Sequence, residues 1–133
     1  MAAAVFRFSC LALAVAGLAA CTGVQFTDRS MIGTWRVTAV NGQPTPAGEY
    51  EMQFADRRLS AHFGCNFISG AYIVEGDELR IDGLTATLKG CPEPSATIER
   101  DAFQVLQDDM KITAAGSKAL RFDSASGSIE IRR

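Results

Sequence analysis

The chain has 133 residues, of which 47% are hydrophobic, and its formal net charge is −2. This length suits one domain, and the hydrophobic content excludes a chain that is disordered by composition. A weakly acidic chain without a run of basic residues is not expected to bind nucleic acid, nor to bind an anionic membrane by charge.

The first twenty residues have the pattern of a secretory signal peptide. Arg7 supplies a positive charge, and the apolar stretch 8–18 follows it. That stretch is too short to span a bilayer but suits the central part of a signal. We therefore expect residues 1–20 to be removed and the remainder to be exported.

Cys21 directly follows Leu18-Ala19-Ala20, which matches the lipobox of bacterial lipoproteins. The alternative is an ordinary signal peptide with a chance cysteine nearby. The lipobox interpretation makes Cys21 the lipidated first residue and 21–30 a short tether to the membrane. Thr22 stands where an Asp would retain the protein at the inner membrane, so in a Gram-negative host we expect the outer membrane, with the protein facing the periplasm.

The remaining cysteines predict one disulfide. Cys10 leaves with the signal and Cys21 carries the lipid, so Cys65 and Cys91 are left in an oxidising compartment, where paired thiols tend to oxidise. The alternative is two buried free thiols. A bridge closing a loop of about 26 residues would contribute roughly 3–4 kcal/mol.

Apolar and polar residues alternate from Gly33 to Leu88, which is typical of half-buried strands. Asn41-Gly42 and Gly76-Asp77 mark turns. Six strands are predicted, with inward residues at Trp35, Val37 and Ala39; Tyr50, Met52 and Phe54; Leu59, Ala61 and Phe63; Tyr72 and Val74; Leu79 and Ile81; and Leu84, Ala86 and Leu88.

The period then changes to that of a helix. Pro92 and Pro94 end the strands, and apolar residues follow at helical spacing, namely Ile98, Ala102, Val105 and Leu106. Three further strands centre on Met110 and Ile112, on Leu120 and Phe122, and on Ile129 and Ile131. The predicted class is α+β: an antiparallel curled sheet, half-barrel or barrel-like, of about eight or nine short strands with one packed helix.

Several elements together resemble the META domain (HslJ-like) family over about residues 31–132. They are Gly33-Thr34-Trp35, Asn41-Gly42, Phe63-Gly64-Cys65-Asn66, Ser69-Gly70-Ala71-Tyr72, Leu84-Thr85-Ala86-Thr87, Cys91, the helix with Glu99, Phe103 and Leu106, and Leu120 with Phe122. Lys89-Gly90 is a small departure, since the family often has a large residue before the second cysteine.

The resemblance implies a small α+β domain, here 31–133, that frequently occurs on lipoproteins or periplasmic proteins. Some members are associated with heat or envelope stress and with antibiotic tolerance. The family supplies no established reaction, so the resemblance identifies no catalytic residues.

Gly64-Cys65-Asn66 is interpreted as a structural corner rather than a catalytic site. Gly64 can adopt positive φ or allow close backbone approach, and Asn66 can bond nearby backbone groups. The same cysteine with His62 gives a His-x-x-Cys spacing, but no second close pair of ligands exists. We therefore expect a solvated His62 and no metal or cofactor. Trp35 and the phenylalanines are expected in the core rather than around a ligand.

Two functions remain open. The first is a non-enzymatic envelope domain that contacts an apolar ligand or an envelope protein. The second is an enzyme acting on envelope material through a site that linear sequence does not reveal. One helix closes one side of a curled sheet, so we expect an uncovered apolar surface, which favours the first.

Overall fold

The computed structural model describes residues 23–133, so the signal segment 1–20 and Cys21 lie outside the described residues. The elements in chain order are α1 (Asp28–Met31), β1 (Gly33–Val40), β2 (Gln43–Pro44), β3 (Tyr50–Ala55), β4 (Arg58–Phe63), β5 (Phe67–Glu75), β6 (Glu78–Ala86), α2 (Ser95–Gln107), β7 (Met110–Gly116), β8 (Ala119–Ser124) and β9 (Gly127–Arg132).

The strands form one antiparallel sheet in the order β2-β1-β3-β4-β5-β6-β7-β8-β9. Pairing of β1 with β9 closes eight of the strands into a barrel, and β2 is an extra strand beside the end of β1. Closure follows from short hairpins between strands that each have one apolar face. The predicted α+β class and the barrel-like sheet with one packed helix are confirmed.

The two strands predicted between residues 78 and 88 are in fact one, β6. Its pairing with β5 shifts in register between Ser69 and Ala71, opposite Gly83, which has φ +62°. This extra residue is a bulge, and it changes which positions face inward. Ile81 faces the core on the N-terminal side of the bulge, and Leu84 faces it on the C-terminal side. The apolar alternation therefore restarts at the bulge, and the sequence pattern resembles the beginning of a new strand.

Leu88 was expected to face inward and does not. β6 ends at Ala86, and the Leu88 side chain is 96% exposed. The alternation therefore continues in the sequence for two residues after the strand has ended. The prediction was wrong because nothing local marks that end.

Aromatic and aliphatic side chains fill the barrel. Phe54 packs edge-on against Tyr72 and Phe122, with ring centroids 5.1 and 6.4 Å away. Trp35 is also buried, and its Nε1 donates to the carbonyl oxygen of Met31 at 2.7 Å. These residues are core, as predicted. Of the inward residues that the alternation named, only Leu88 is exposed, while Val74, Leu84, Ala86 and Phe103 are partly buried. The expectation that the phenylalanines lie in the core is wrong for Phe67, which is 61% exposed on the outer face of β5.

The helix α2 packs on the barrel against β9, β6, β4 and β1. The strands β6 and β7 pair through only Glu78 and Leu79 on the β6 side. Beyond that point α2 lies beside β6 and buries the apolar stripe predicted for it, Ile98, Ala102, Val105 and Leu106.

Part of the predicted tether is already ordered against the barrel. The backbone N–H of Phe26 donates to the carbonyl oxygen of Gly76 at 2.8 Å, and its side chain packs on the core. Helix α1 follows and buries Met31 completely. The N-terminal segment is therefore held at the β5–β6 turn.

Candidate functional site

The motif Gly64-Cys65-Asn66 forms the turn from β4 to β5. Gly64 has φ +89°, and a Cβ atom there would lie 2.5 Å from Tyr50 Oη and 2.6 Å from Ser95 Oγ. Those two hydroxyls are hydrogen-bonded to each other at 2.9 Å. Both reasons predicted for this glycine, its φ and the close approach, are present.

The side-chain amide of Asn66 makes all the hydrogen bonds it can. Its Oδ1 accepts from the Lys89 backbone N–H at 2.7 Å and from the Thr87 hydroxyl at 2.9 Å. Its Nδ2 donates to the Lys89 carbonyl at 3.1 Å and to Glu99 Oε1 at 2.7 Å. Asn66 is 4% exposed, so these bonds replace its hydration.

Glu99 is the residue of this cluster that sequence reasoning missed. Its Oε2 accepts the backbone N–H of Asn66 at 2.6 Å, so both carboxylate oxygens bind the same residue. The sequence places Glu99 on the polar side of α2, next to the apolar Ile98. The position of an acidic residue at the border of the apolar stripe of α2 was the only signal of the partial burial of Glu99. Its partner, Asn66, lies 33 residues earlier in the sequence.

The sulfur atoms of Cys65 and Cys91 lie at bonding distance, 2.03 Å, and the Cα atoms are 5.9 Å apart. This geometry agrees with the predicted pairing and is within the usual Cα range of disulfides. The bridge joins the β4–β5 turn to the loop that precedes α2.

The cluster is arranged to fasten the fold rather than to react. The two sulfurs and a Glu99 oxygen lie within 4.8 Å of one another. Sulfurs bonded to each other provide neither thiolate ligands for a metal nor a nucleophile. Glu99 is already engaged by two donors, so the groups here bond to one another.

His62 is buried, which corrects the prediction of a solvated histidine. It is 9% exposed, and Nδ1 lies 2.8 Å from the carbonyl oxygen of Glu49. Phe67, its cross-strand partner on β5, packs on the ring with centroids 4.8 Å apart. The residue does occupy an outward position, but its neighbours cover that face.

The shifted pKa values lie away from this cluster. Hydrogen bonds from Ser126 lower the pKa of Asp108, and a hydrogen bond with Asp123 raises the pKa of Arg121. Burial raises the pKa of Tyr72, which lies in the barrel core. Each shift has a structural cause: Asp108 lies at the end of α2, Arg121 belongs to a surface ion pair, and Tyr72 lies in the core.

An open groove of about 630 Å³ lies between α2 and the end of β6, directly beside the cluster. Its apolar walls are provided by Ala86, Leu88 and Phe103, with the buried Ile68 behind them. Lys89 and Arg100 stand among the polar residues that border it. This is the uncovered apolar surface expected from a barrel with one helix, although it lies outside the filled core.

Within residues 23–133, no helix combines the length and the apolar character needed to cross a bilayer. The fold and the cluster define a class of small closed antiparallel barrel, on which one helix packs and is attached by a disulfide and an Asn–Glu pair. The META domain matches residues 29–131, and the chain belongs to the META domain family.

Solved structures of other proteins share this fold. One, determined by NMR, has a TM-score of 0.70 at 20% identity and covers 80% of this chain and 94% of its own. Another, an NMR structure of a protein from Burkholderia xenovorans, has a TM-score of 0.65 at 16% identity and covers 80% and 85%. No curated protein matches the chain.

Proposed function

We propose that the protein is a non-enzymatic binding domain of the bacterial envelope, anchored by a lipid on Cys21 and engaged in the envelope stress response. The observation that carries the proposal is the open apolar groove between α2 and the end of β6. Concave, mostly apolar sites with a few polar groups at the border are typical of ligand and peptide binding.

The state of the polar groups also supports binding over catalysis. General acid–base chemistry needs a titratable group within reach of a substrate and free to exchange a proton. The carboxylate of Glu99 lies beside the groove, but both its oxygens bind Asn66. The nearby sulfurs are bonded to each other, which leaves no thiolate for attack.

The anchor is tested by replacing Cys21. Cells that express the full-length protein with Cys21→Ser and are fed an alkyne fatty acid should show no label on it, and the protein should leave the membrane fraction. Cys10→Ser is the matched control, because that residue lies in the signal and should keep full labelling. Undiminished labelling of the Cys21→Ser protein would refute the anchor.

The groove is tested with an apolar dye. The lipidated protein in nanodiscs should bind anilinonaphthalene sulfonate with a micromolar Kd, measured against empty nanodiscs. Leu88→Gln should weaken this binding, because Leu88 is exposed and lines the groove. Val24→Gln, which changes an exposed residue outside the groove lining, should not. Equal effects of the two variants would contradict a binding role for the groove.

A further inference from the structure

The groove contains a strand edge that has no strand partner. Beyond Leu79, β6 pairs with β5 alone, and in the described part of the chain no strand lies along its other edge. Helix α2 occupies that side and leaves the groove between itself and the end of β6. Such an edge presents backbone N–H and C=O groups that can accept another strand.

The pairing pattern shows which backbone groups face the groove. The Thr87 N–H donates to the Phe67 carbonyl at 3.0 Å, so the backbone of Thr87 points toward β5. Directions alternate along an antiparallel pair, and Ala86 pairs with Ile68, so the N–H and C=O of Ala86 point away from β5. Among residues 23–133 no backbone hydrogen bond uses the Ala86 N–H or C=O on that side.

The length of the groove suits a short extended segment. The helix residues that border it run from Ala96 to Gln107, which at the rise of an α-helix is about 17 Å. An extended chain covers that distance in about five residues. Alternate side chains of such a segment would meet the apolar wall formed by Ala86, Leu88 and Phe103.

The groove lies at the end of β6 that is remote from the expected lipid anchor. Phe26 is held at Gly76, at the end of β6 opposite Ala86, and Glu78 to Ala86 spans about 26 Å. The five residues from Cys21 to Phe26 reach at most about 17 Å. A lipid at Cys21 is therefore attached near the Gly76 end of β6, whereas the groove lies at the other end of that strand.

We propose that the groove binds an extended, apolar segment of another polypeptide, which pairs with β6 as an added strand at Ala86. This inference rests on the proposed binding function and names its partner class. Main-chain hydrogen bonds to Ala86 would provide affinity, and the apolar wall would select alternate side chains.

The test uses the full-length lipidated protein in nanodiscs and a short peptide with alternating valine and threonine. Binding should slow amide hydrogen exchange at Ala86. The same peptide methylated on alternate backbone nitrogens should bind about tenfold more weakly, because it loses main-chain donors. Ala86→Pro should weaken the unmodified peptide similarly, whereas Ala86→Val, which keeps the N–H, should not.

Equal affinity of the methylated and unmodified peptides would overturn strand addition, and so would unchanged hydrogen exchange at Ala86. Both measurements use the natural protein, so they do not depend on whether a variant folds. If a lysophospholipid occupies the groove and the peptide does not, strand addition is refuted while the binding function stands. If peptide, lysophospholipid and dye all fail to bind, the proposed function fails with it.

Discussion

The carboxylate of Glu99 holds both the side chain and the backbone of Asn66, with Oε1 2.7 Å from Nδ2 and Oε2 2.6 Å from the main-chain nitrogen. The contact joins α2 to the β4–β5 turn across 33 residues of sequence. It lies at the opposite end of β6 from the two residue pairs that join β6 to β7. The helix α2 is thus attached to the barrel at the end of β6 that pairs with β5 alone.

Asn66→Asp should lower the free energy of unfolding by about 3 kcal/mol at neutral pH, since it removes two donors and sets a second carboxylate against Glu99. Urea denaturation measures this. Adding Glu99→Gln exchanges the amide and the carboxylate and should restore part of the loss. A double variant no more stable than Asn66→Asp alone would show that the two side chains are not coupled.

The Cys65–Cys91 bridge should contribute about 3.5 kcal/mol, because it closes a loop of about 26 residues in the unfolded chain. Protein purified from the periplasm should take up no alkylating agent until it is reduced, as measured by intact mass. Reduction should lower Tm. Two reactive thiols in the native protein would refute the bridge.

Gly64→Ala should destabilise the fold much more than Gly76→Ala. Both glycines have positive φ, which costs an alanine about 1–2 kcal/mol, but a Cβ at Gly76 meets nothing within 4 Å. At Gly64 the Cβ would collide with the Tyr50 and Ser95 hydroxyls, adding about 1–3 kcal/mol. Thermal unfolding separates the two effects, and equal losses would argue against the collision.

Tyr72→Phe should leave stability at pH 7 unchanged or slightly higher, because in the described chain the buried Tyr72 hydroxyl has no hydrogen-bond partner. Tyr50→Phe is the matched control and should cost about 1 kcal/mol, since its hydroxyl bonds Ser95. Urea denaturation of both variants at pH 7 provides the comparison. A large loss for Tyr72→Phe would reveal a partner for that hydroxyl.

The same tyrosine predicts a stability change with pH. Burial, with a smaller effect of the Asp28 carboxylate, raises the pKa of Tyr72 in the folded protein. The unfolded chain then releases the proton first, so stability is full below about pH 10 and declines above it. Tyr72→Phe should decline less over that range.

Much of the barrel could be predicted because its evidence is local. Alternation at Tyr50, Met52 and Phe54 needs only neighbouring residues to be recognised, and the helical spacing of α2 is equally local. Leu88 shows that local alternation does not reveal where a strand ends. The chain leaves β6 because Asn66, more than twenty residues earlier, binds the backbone of Lys89.

The cluster could be predicted only in part for the same reason. The phi angle of Gly64 and the cysteine pairing follow from residue type and compartment. The burial of His62 depends on Phe67 lying opposite it on the next strand, and the role of Glu99 depends on how α2 returns to the barrel. Such contacts are tertiary, and a polar position in a periodic pattern does not reveal them.

Two of the free strand edges in the described chain, those of β2 and of the end of β6, differ in their chemistry. The short strand β2 contains Pro44, and Pro46 follows it, so that edge lacks two of the N–H groups a neighbouring molecule would need. The end of β6 has no proline and offers Ala86 intact. At the concentrations used for crystallisation or NMR, self-association should therefore favour the edge of β6 over that of β2. Ala86→Pro should then keep the protein monodisperse under conditions in which the natural chain forms larger species.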